Sequence, residues 1–285
     1  MKKSKIILVD WGYILHSSIY SYNSAIMNNR DFIMPSTFTA MTMLISALKR
    51  VGINPETDDR VLICCDDKSW RREVDRNYKS NREQIREQAK YVDWKKEFKN
   101  HSNLLDKIKV GTSFFVIRCQ ECEADDLIAE AVRFYKDREC IIISPDSDFY
   151  QLLIYDNVKI FSPHPKARRI PYRILSLDRE NEKKLAYKSL MKKIEKEASD
   201  NLVTEIANEQ DYDKRAKLVN LLELPDFISK RIIEKLKDLD GIVKEDYKLS
   251  VFSPSIQRRL KEIYNKESVI TYEKCREKFE RRRKK

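Results

Sequence analysis

Acidic residues stand where short apolar runs end: Asp10 after Ile6 to Val9, Asp66 and Asp67 after Val61 to Cys65, Asp146 and Asp148 after Cys140 to Ile143. A further group, Glu123, Asp125 and Asp126, opens a helical pattern shortly after the run Phe114 to Ile117. Carboxylates packed together raise one another's pKa, so such a cluster is costly unless something cationic sits among them. A dense all-oxygen set suits a hard divalent ion, Mg2+ or Mn2+, better than zinc, which wants His or Cys. Two such ions about 3.5 to 4 Å apart can clamp the attacking and leaving oxygens of a phosphodiester and activate a water. For any single Asp the competing reading is a turn residue or helix N-cap, strongest for Asp125 and Asp126, because acids favour helix N-termini. Four independent sites together favour the metal.

The elements that must position these acids follow from the apolar runs. Each is too short for a helix and reads as a strand buried on both faces. Between them, Phe38 to Arg50 and Asp125 to Tyr135 carry apolar residues three and four apart, the spacing of an amphipathic helix. The alternation predicts an α/β fold: a parallel central sheet of about five strands flanked by helices, Val158 to Phe161 supplying the fifth strand. In such a sheet the acids all lie at the carboxyl ends of the strands, where crevices form. Beyond about Leu175 Lys- and Glu-rich helical stretches take over, so the chain divides into an α/β region, 1–178, and a mostly helical C-terminal region, 179–285.

Composition narrows the partner. Lys and Arg number 57 against 46 Asp and Glu, a formal charge of +11, which fits nucleic acid, an acidic membrane face or simple solubility. Only four glycines occur, none close enough to another to build a dinucleotide-binding turn or a Walker A loop. Cys64, Cys65 and Cys140 sit in or beside apolar runs, as reduced buried thiols do. Cys119 and Cys122 form a lone C-x-x-C with no second pair at zinc-finger spacing, so zinc is not expected. The N-terminal apolar run is too short for a signal segment and no stretch approaches the ~20 apolar residues of a membrane span, so a cytoplasmic protein without membrane contact is expected.

The ordered motifs Ile7-Leu8-Val9-Asp10, Cys65-Asp66-Asp67-Lys68-Ser69-Trp70-Arg71, Asn77-Tyr78-Lys79-Ser80-Asn81-Arg82, Glu123-Ala124-Asp125-Asp126 and Ser144-Pro145-Asp146-Ser147-Asp148 resemble those of the flap endonuclease and 5′-to-3′ exonuclease family. The likeness is to its bacteriophage branch, which includes ribonuclease H enzymes that remove RNA primers. It implies a PIN-like nuclease core, two divalent metals, Mg2+ with Mn2+ as substitute, and cleavage of DNA or RNA at 5′ ends and flaps. Carried over by position, the metal-binding carboxylates are Asp10, Asp66, Glu123, Asp125, Asp126, Asp146 and Asp148. Lys79 matches the lysine that approaches the scissile phosphate, Arg82 a second basic residue and Tyr78 a place where an aromatic meets a terminal base; Arg71 is taken as a further nucleic-acid contact. The segment from 77 to 105 corresponds to a helical arch.

The spacing of Lys79, Arg82, Arg86 and Lys90 independently places one cationic stripe on a helix, able to track a phosphate backbone or simply to face solvent. The chain departs from the family after the fifth strand. Glu197 and Asp200 stand nearest to the expected third acidic pair, Asp200 being taken as a metal ligand. No glycine occurs from 112 through 240, so the duplex-gripping helix-hairpin-helix turn is missing. Lys184, Lys188, Lys192 and Lys196 form a second basic stripe, and the tail from Arg276 is basic. Trp11, Trp70 and Trp94 read as core or hinge aromatics with no base-stacking array. The expected function is a Mg2+-dependent 5′ nuclease of replication or repair, working beside replication proteins. The alternatives are a nucleic-acid-binding replisome protein with a degenerate site, favoured by the altered third pair, and a PIN-type ribonuclease on single-stranded RNA, favoured by the missing glycines.

Overall fold

The computed structural model describes residues 4–31, 33–53, 58–89, 91–163, 172–174, 179–195, 209–244 and 246–263. Five parallel strands, β1 (Lys5–Asp10), β2 (Arg60–Cys64), β3 (Phe115–Ile117), β4 (Glu139–Ile143) and β5 (Val158–Pro163), lie in the order β3-β2-β1-β4-β5, and an antiparallel β6 (Tyr172–Ile174) extends the edge. The strands bury both faces in strict alternation. Ile6, Leu8, Leu62 and Ile142 face one hydrophobic cluster, while Ile7, Val9, Ile63 and Ile141 face the other.

Helices cover the two faces as the periodicity requires. The first cluster is closed by α6 (Ala124–Phe134), by a 3-10 helix over Ser147–Ile154 and by α9 (Asp226–Leu239). The second is closed by α1 (Trp11–Met27), α2 (Ser36–Val51), α5 (Trp94–Gly111) and α10 (Pro254–Ile263). The short helices α3 (Arg71–Val74) and α4 (Asn81–Gln88) follow β2; α7 (Arg179–Glu195) and α8 (Glu209–Val219) pack beside α3 and the 3-10 helix. Elements beyond the described β6 pack with those before it, because Ala186, Ile228 and Leu260 all belong to the clusters that cover the sheet.

The strand order fixes where a site can form. From β1 the chain moves outward on one side to β2 and β3, then returns to the other side of β1 with β4. Connections on the two sides diverge at that junction and leave a crevice at the carboxyl ends of β1 and β4. Asp10 ends β1, and Asp146 follows β4 by three residues.

Candidate active site

Several of the acids do two jobs, which explains why the chain turns where it does. Asp10 is the N-cap of α1, its Oδ1 accepting from the Tyr13 amide at 3.2 Å, while its Oδ2 accepts from Ser144 Oγ at 2.9 Å and so ties β1 to β4. Asp146 caps the 3-10 helix by accepting from the Asp148 amide at 2.9 Å. Asp66 accepts from the Ala124 amide at 2.8 Å, drawing the end of β2 to the start of α6. Capping and chemistry are therefore not rival readings here; the cap holds the carboxylate at the crevice.

Gly12 lets Asp10 and Asp66 stand close together. A methyl at this position would lie 3.2 Å from Asp10 Oδ1 and 3.2 Å from Asp66 Oδ2. Burial, followed by repulsion from Asp66, pushes the Asp10 carboxyl up to about 6 despite the hydrogen bonds from Ser144 and Tyr13. Asp125 is pushed well above the carboxylate range, by burial first, with Asp10, Asp146 and Glu123 adding repulsion and Lys79 opposing.

The remaining acids have protein cations as partners. Arg71, only 2% exposed, donates Nη1 and Nη2 to Asp126 at 3.0 and 2.7 Å, Nη1 to Glu123 at 3.0 Å, and Nε to the Leu218 carbonyl at 2.8 Å. Asp126 is fully buried and also accepts from Trp70 Nε1 and from the Glu123 amide. Glu123 receives Lys79 Nζ at 2.6 Å and the Tyr78 hydroxyl at 2.9 Å. Burial pushes Glu123 up, but Lys79 and Arg71 outweigh it and hold the carboxyl down at about 2. Asp148 pairs with Lys193 of α7 at 2.5 Å, yet burial and Asp146 still raise it.

The expected site residues thus sort into groups. Asp125, Asp146, Asp148, Lys79, Arg82, Arg71 and Tyr78 line one cleft, walled by Leu218, Val219 and Leu221 and joined by Lys193. Asp10 and Asp66 stand beside these acids, near enough for their charges to act on one another. Among the described residues no three His, Cys, Asp or Glu side chains converge on a single point as a ready coordination shell. Lys90, Glu197, Asp200, Lys196 and the basic tail lie outside the described residues.

Four of the expected residues stand in settings that the spacing alone does not show. Arg71 lines the cleft but is only 2% exposed, with four of its guanidinium N–H bonds directed to Asp126, Glu123 and the Leu218 carbonyl. Tyr78 lines the cleft but is 5% exposed, with its hydroxyl donating to Glu123. Asp126, enclosed by Arg71, Trp70 and a backbone amide, is out of reach as a metal ligand and serves as a structural anchor. Lys79 precedes α4 in a left-handed turn at φ 57°, so it does not share a helical stripe with Arg82 and Arg86. Lys193 was missed: its neighbour Lys192 belonged to the four-residue stripe, and only the packing of α7 on the 3-10 helix shows which lysine turns inward.

The family sequence model described as 5′-3′ exonuclease, N-terminal resolvase-like domain, matches residues 5–195. The chain is 28% identical over 170 residues to a protein called ribonuclease H from Enterobacteria phage T4, a match covering 58% of this chain and 54% of that protein. The chain thus spans about half the length of the curated relative it matches. Among solved structures, the phage T5 5′-exonuclease with bound zinc aligns at a TM-score of 0.55 and 15% identity, covering 82% of this chain and 98% of that one. A T5 flap endonuclease in a pseudo-enzyme-product complex with DNA and metal ions aligns at 0.56 and 15%, with the same coverage. At that identity the two structures speak for the fold.

Proposed function

We infer from this site, and from the family to which the chain belongs, the 5′-3′ exonucleases with an N-terminal resolvase-like domain, that the protein is a divalent-metal-dependent 5′ nuclease. The observation that carries the reading is the charge balance of the acids. Glu123, Asp126 and Asp148 are matched by Arg71, Lys79 and Lys193, while burial and mutual repulsion hold Asp10 and Asp125 above the carboxylate range. Oxygen donors in that state suit a hard divalent cation, Mg2+ or Mn2+. Asp10, Asp66, Asp125 and Asp146 would hold it, with Asp148 as a further donor lining the cleft, and Glu123 and Asp200 carried over from the family resemblance alone. Such ions, two in the family pattern, supply charge neutralisation and water activation when bound.

The chain's own residues do the rest. Lys79, kept charged by Glu123 although burial works against it, presents a cation on the cleft wall where a substrate phosphate would sit. Arg82, exposed at the same cleft, and Arg86 on the following turn extend positive charge along the entering strand. The paired Arg71 and Asp126 fix α3 to α6 and so fix the turn from which Lys79 projects. Substrates are DNA or RNA with a 5′ end or flap, met during replication beside replication proteins.

Incubation of one preparation with matched single-stranded RNA, DNA flap and RNA:DNA hybrid, each with Mg2+ and with chelator, tests this reading. Metal-dependent products released from the 5′ side of flap or hybrid support it. Cutting of single-stranded RNA alone indicates a PIN-type ribonuclease, and binding without turnover indicates a degenerate nuclease fold. Gly12→Ala is expected to lower the cleavage rate about tenfold, because the new methyl displaces two carboxylates at once and small misplacements at a reacting centre are costly. Single-turnover rates against Mg2+ concentration check it, and a wild-type rate would remove Gly12 from the account.

A further inference from the structure

Cys119-Gln120-Glu121-Cys122 joins β3 to α6, away from the residues that line the cleft. A C-x-x-C between a strand and the helix that follows it is a redox pattern. The Cys122 amide donates to the Cys119 carbonyl at 3.2 Å, so the four residues form a β-turn. Glu121, third in the turn, sits at φ 62°, a left-handed conformation that glycine adopts freely and glutamate does not. Such a turn brings its first and fourth Cα atoms within about 7 Å, close to the roughly 4.4 to 6.8 Å that a disulfide bridges. The Cys122 thiol lies within hydrogen-bonding reach of the Cys119 sulfur and of the Gln120 carbonyl, the latter at 3.3 Å. Both cysteines are free.

The turn is buried on one side only. Cys122 is fully buried and Cys119 is 6% exposed, but Gln120 is exposed and Glu121 half-exposed. From α9, Arg231 clasps the tip, donating to the Gln120 carbonyl at 2.8 Å and to the Glu121 carboxylate at 2.7 Å. An exposed ion pair of this kind holds weakly, so the tip can open to a small reagent. Cys64, Cys65 and Cys140, by contrast, lie in or beside strands at 2% exposure or less. The inner side of the turn supports the acidic site. The Cys122 carbonyl accepts from the Asp67 amide at 3.0 Å, and the Glu121 carbonyl from the Trp70 amide at 2.9 Å. The next residue, Glu123, caps α6, whose first turn carries Asp125. Drawing the two sulfurs together tightens the turn and so pulls on the loop after Asp66 and on the start of α6.

We propose that Cys119 and Cys122 are a modification site, closing reversibly to a disulfide by exchange with a small-molecule disulfide, and that the closed turn slows cleavage. The Cys119 thiolate attacks one sulfur of the reagent, forming a mixed disulfide and releasing one thiol. The Cys122 thiolate then attacks the Cys119 sulfur and releases the second thiol, so the protein loses two hydrogens and the reagent gains them. Strained or exposed disulfides are the readily reduced ones, which suits a switch rather than a staple. The control half rests on the nuclease reading; the modification half does not.

The test incubates the full chain with glutathione disulfide, counts free thiols after unfolding, maps the linked peptides by mass and measures cutting of a 5′-labelled flap in Mg2+. The expected result is the loss of two thiols, a link between Cys119 and Cys122, and a rate about tenfold lower that returns with dithiothreitol. Cys119→Ser should keep its own rate through the same treatment, with unchanged far-ultraviolet circular dichroism showing that it is folded. A wild-type protein that keeps both thiols, or a Cys119→Ser protein that slows as much as the wild type, overturns the proposal. A closed disulfide with an unchanged rate overturns the control. A protein that closes the link but never cuts in Mg2+ loses the nuclease and the control together, while the modification site stands.

Discussion

Asp10→Asn should abolish nearly all metal-dependent cleavage while making the metal-free protein more stable at neutral pH. The amide can keep the hydrogen bond from the Tyr13 amide and can pair with Ser144 Oγ, so the cap and the tie between β1 and β4 survive. What disappears is a negative charge that the fold disfavours. The folded-state value near 6 lies above the ordinary 3.8, so ionisation of Asp10 works against folding. The penalty is absent below about pH 4, grows between 4 and 6 and is complete above 6, where relief should be on the order of 3 kcal/mol. Cleavage should fall by a hundredfold to a thousandfold, roughly the loss when one preorganised electrostatic group is removed. Melting curves at pH 4 and 7.5 beside single-turnover rates check both halves. A destabilised variant at pH 7.5, or one that cuts normally, contradicts this placing of Asp10.

Arg71→Ala should have the largest effect on stability. It leaves Asp126 fully buried without its cation, deprives Glu123 of one of two, and removes the bond to the Leu218 carbonyl that holds α3 to α8. Breaking one side of a buried ion pair typically costs about 3 to 5 kcal/mol. For a chain of this size that is a fall in melting temperature of about 10 °C. Arg71→Lys should recover little, since one ammonium cannot reproduce a fork serving two acids and a carbonyl. The pH dependence has the opposite sign to that of Asp10. Glu123, held down at about 2, contributes stability present above its ordinary 4.5 and lost as pH falls toward 2, and part of that contribution goes with Arg71. A variant melting within a degree or two of wild type would show that the network is not an anchor.

The fold was legible because strands buried on both faces leave unbroken apolar runs, and Ile6 to Val9 and Cys140 to Ile143 have no other use. The crevice was legible for a related reason: acids that follow such runs must gather at one end of a parallel sheet. Local sequence does not show which acid meets which cation. Glu123, Asp125 and Asp126 differ little as a string, yet a helix start turns Asp126 inward to Arg71 and leaves Asp125 at the cleft. Arg71 itself sits in a motif that reads as substrate-facing, and its interior partners come from 52 to 147 residues away. The antiparallel β6, three residues long, is too short to leave a pattern.

The most direct test of the central claim, that the acids at the junction of β1 and β4 hold a divalent cation for phosphodiester hydrolysis, is the single-turnover rate of cutting a 5′-labelled flap as Mg2+ is titrated. Asp146→Asn is measured alongside, because Asp146 is exposed and its amide counterpart keeps the cap on the 3-10 helix. The predicted result is a rate that rises and saturates with Mg2+, vanishes in chelator and falls at least about a hundredfold in a variant that melts like the wild type. A rate indifferent to chelation, or an Asp146→Asn protein that cuts as fast as the wild type, would contradict it.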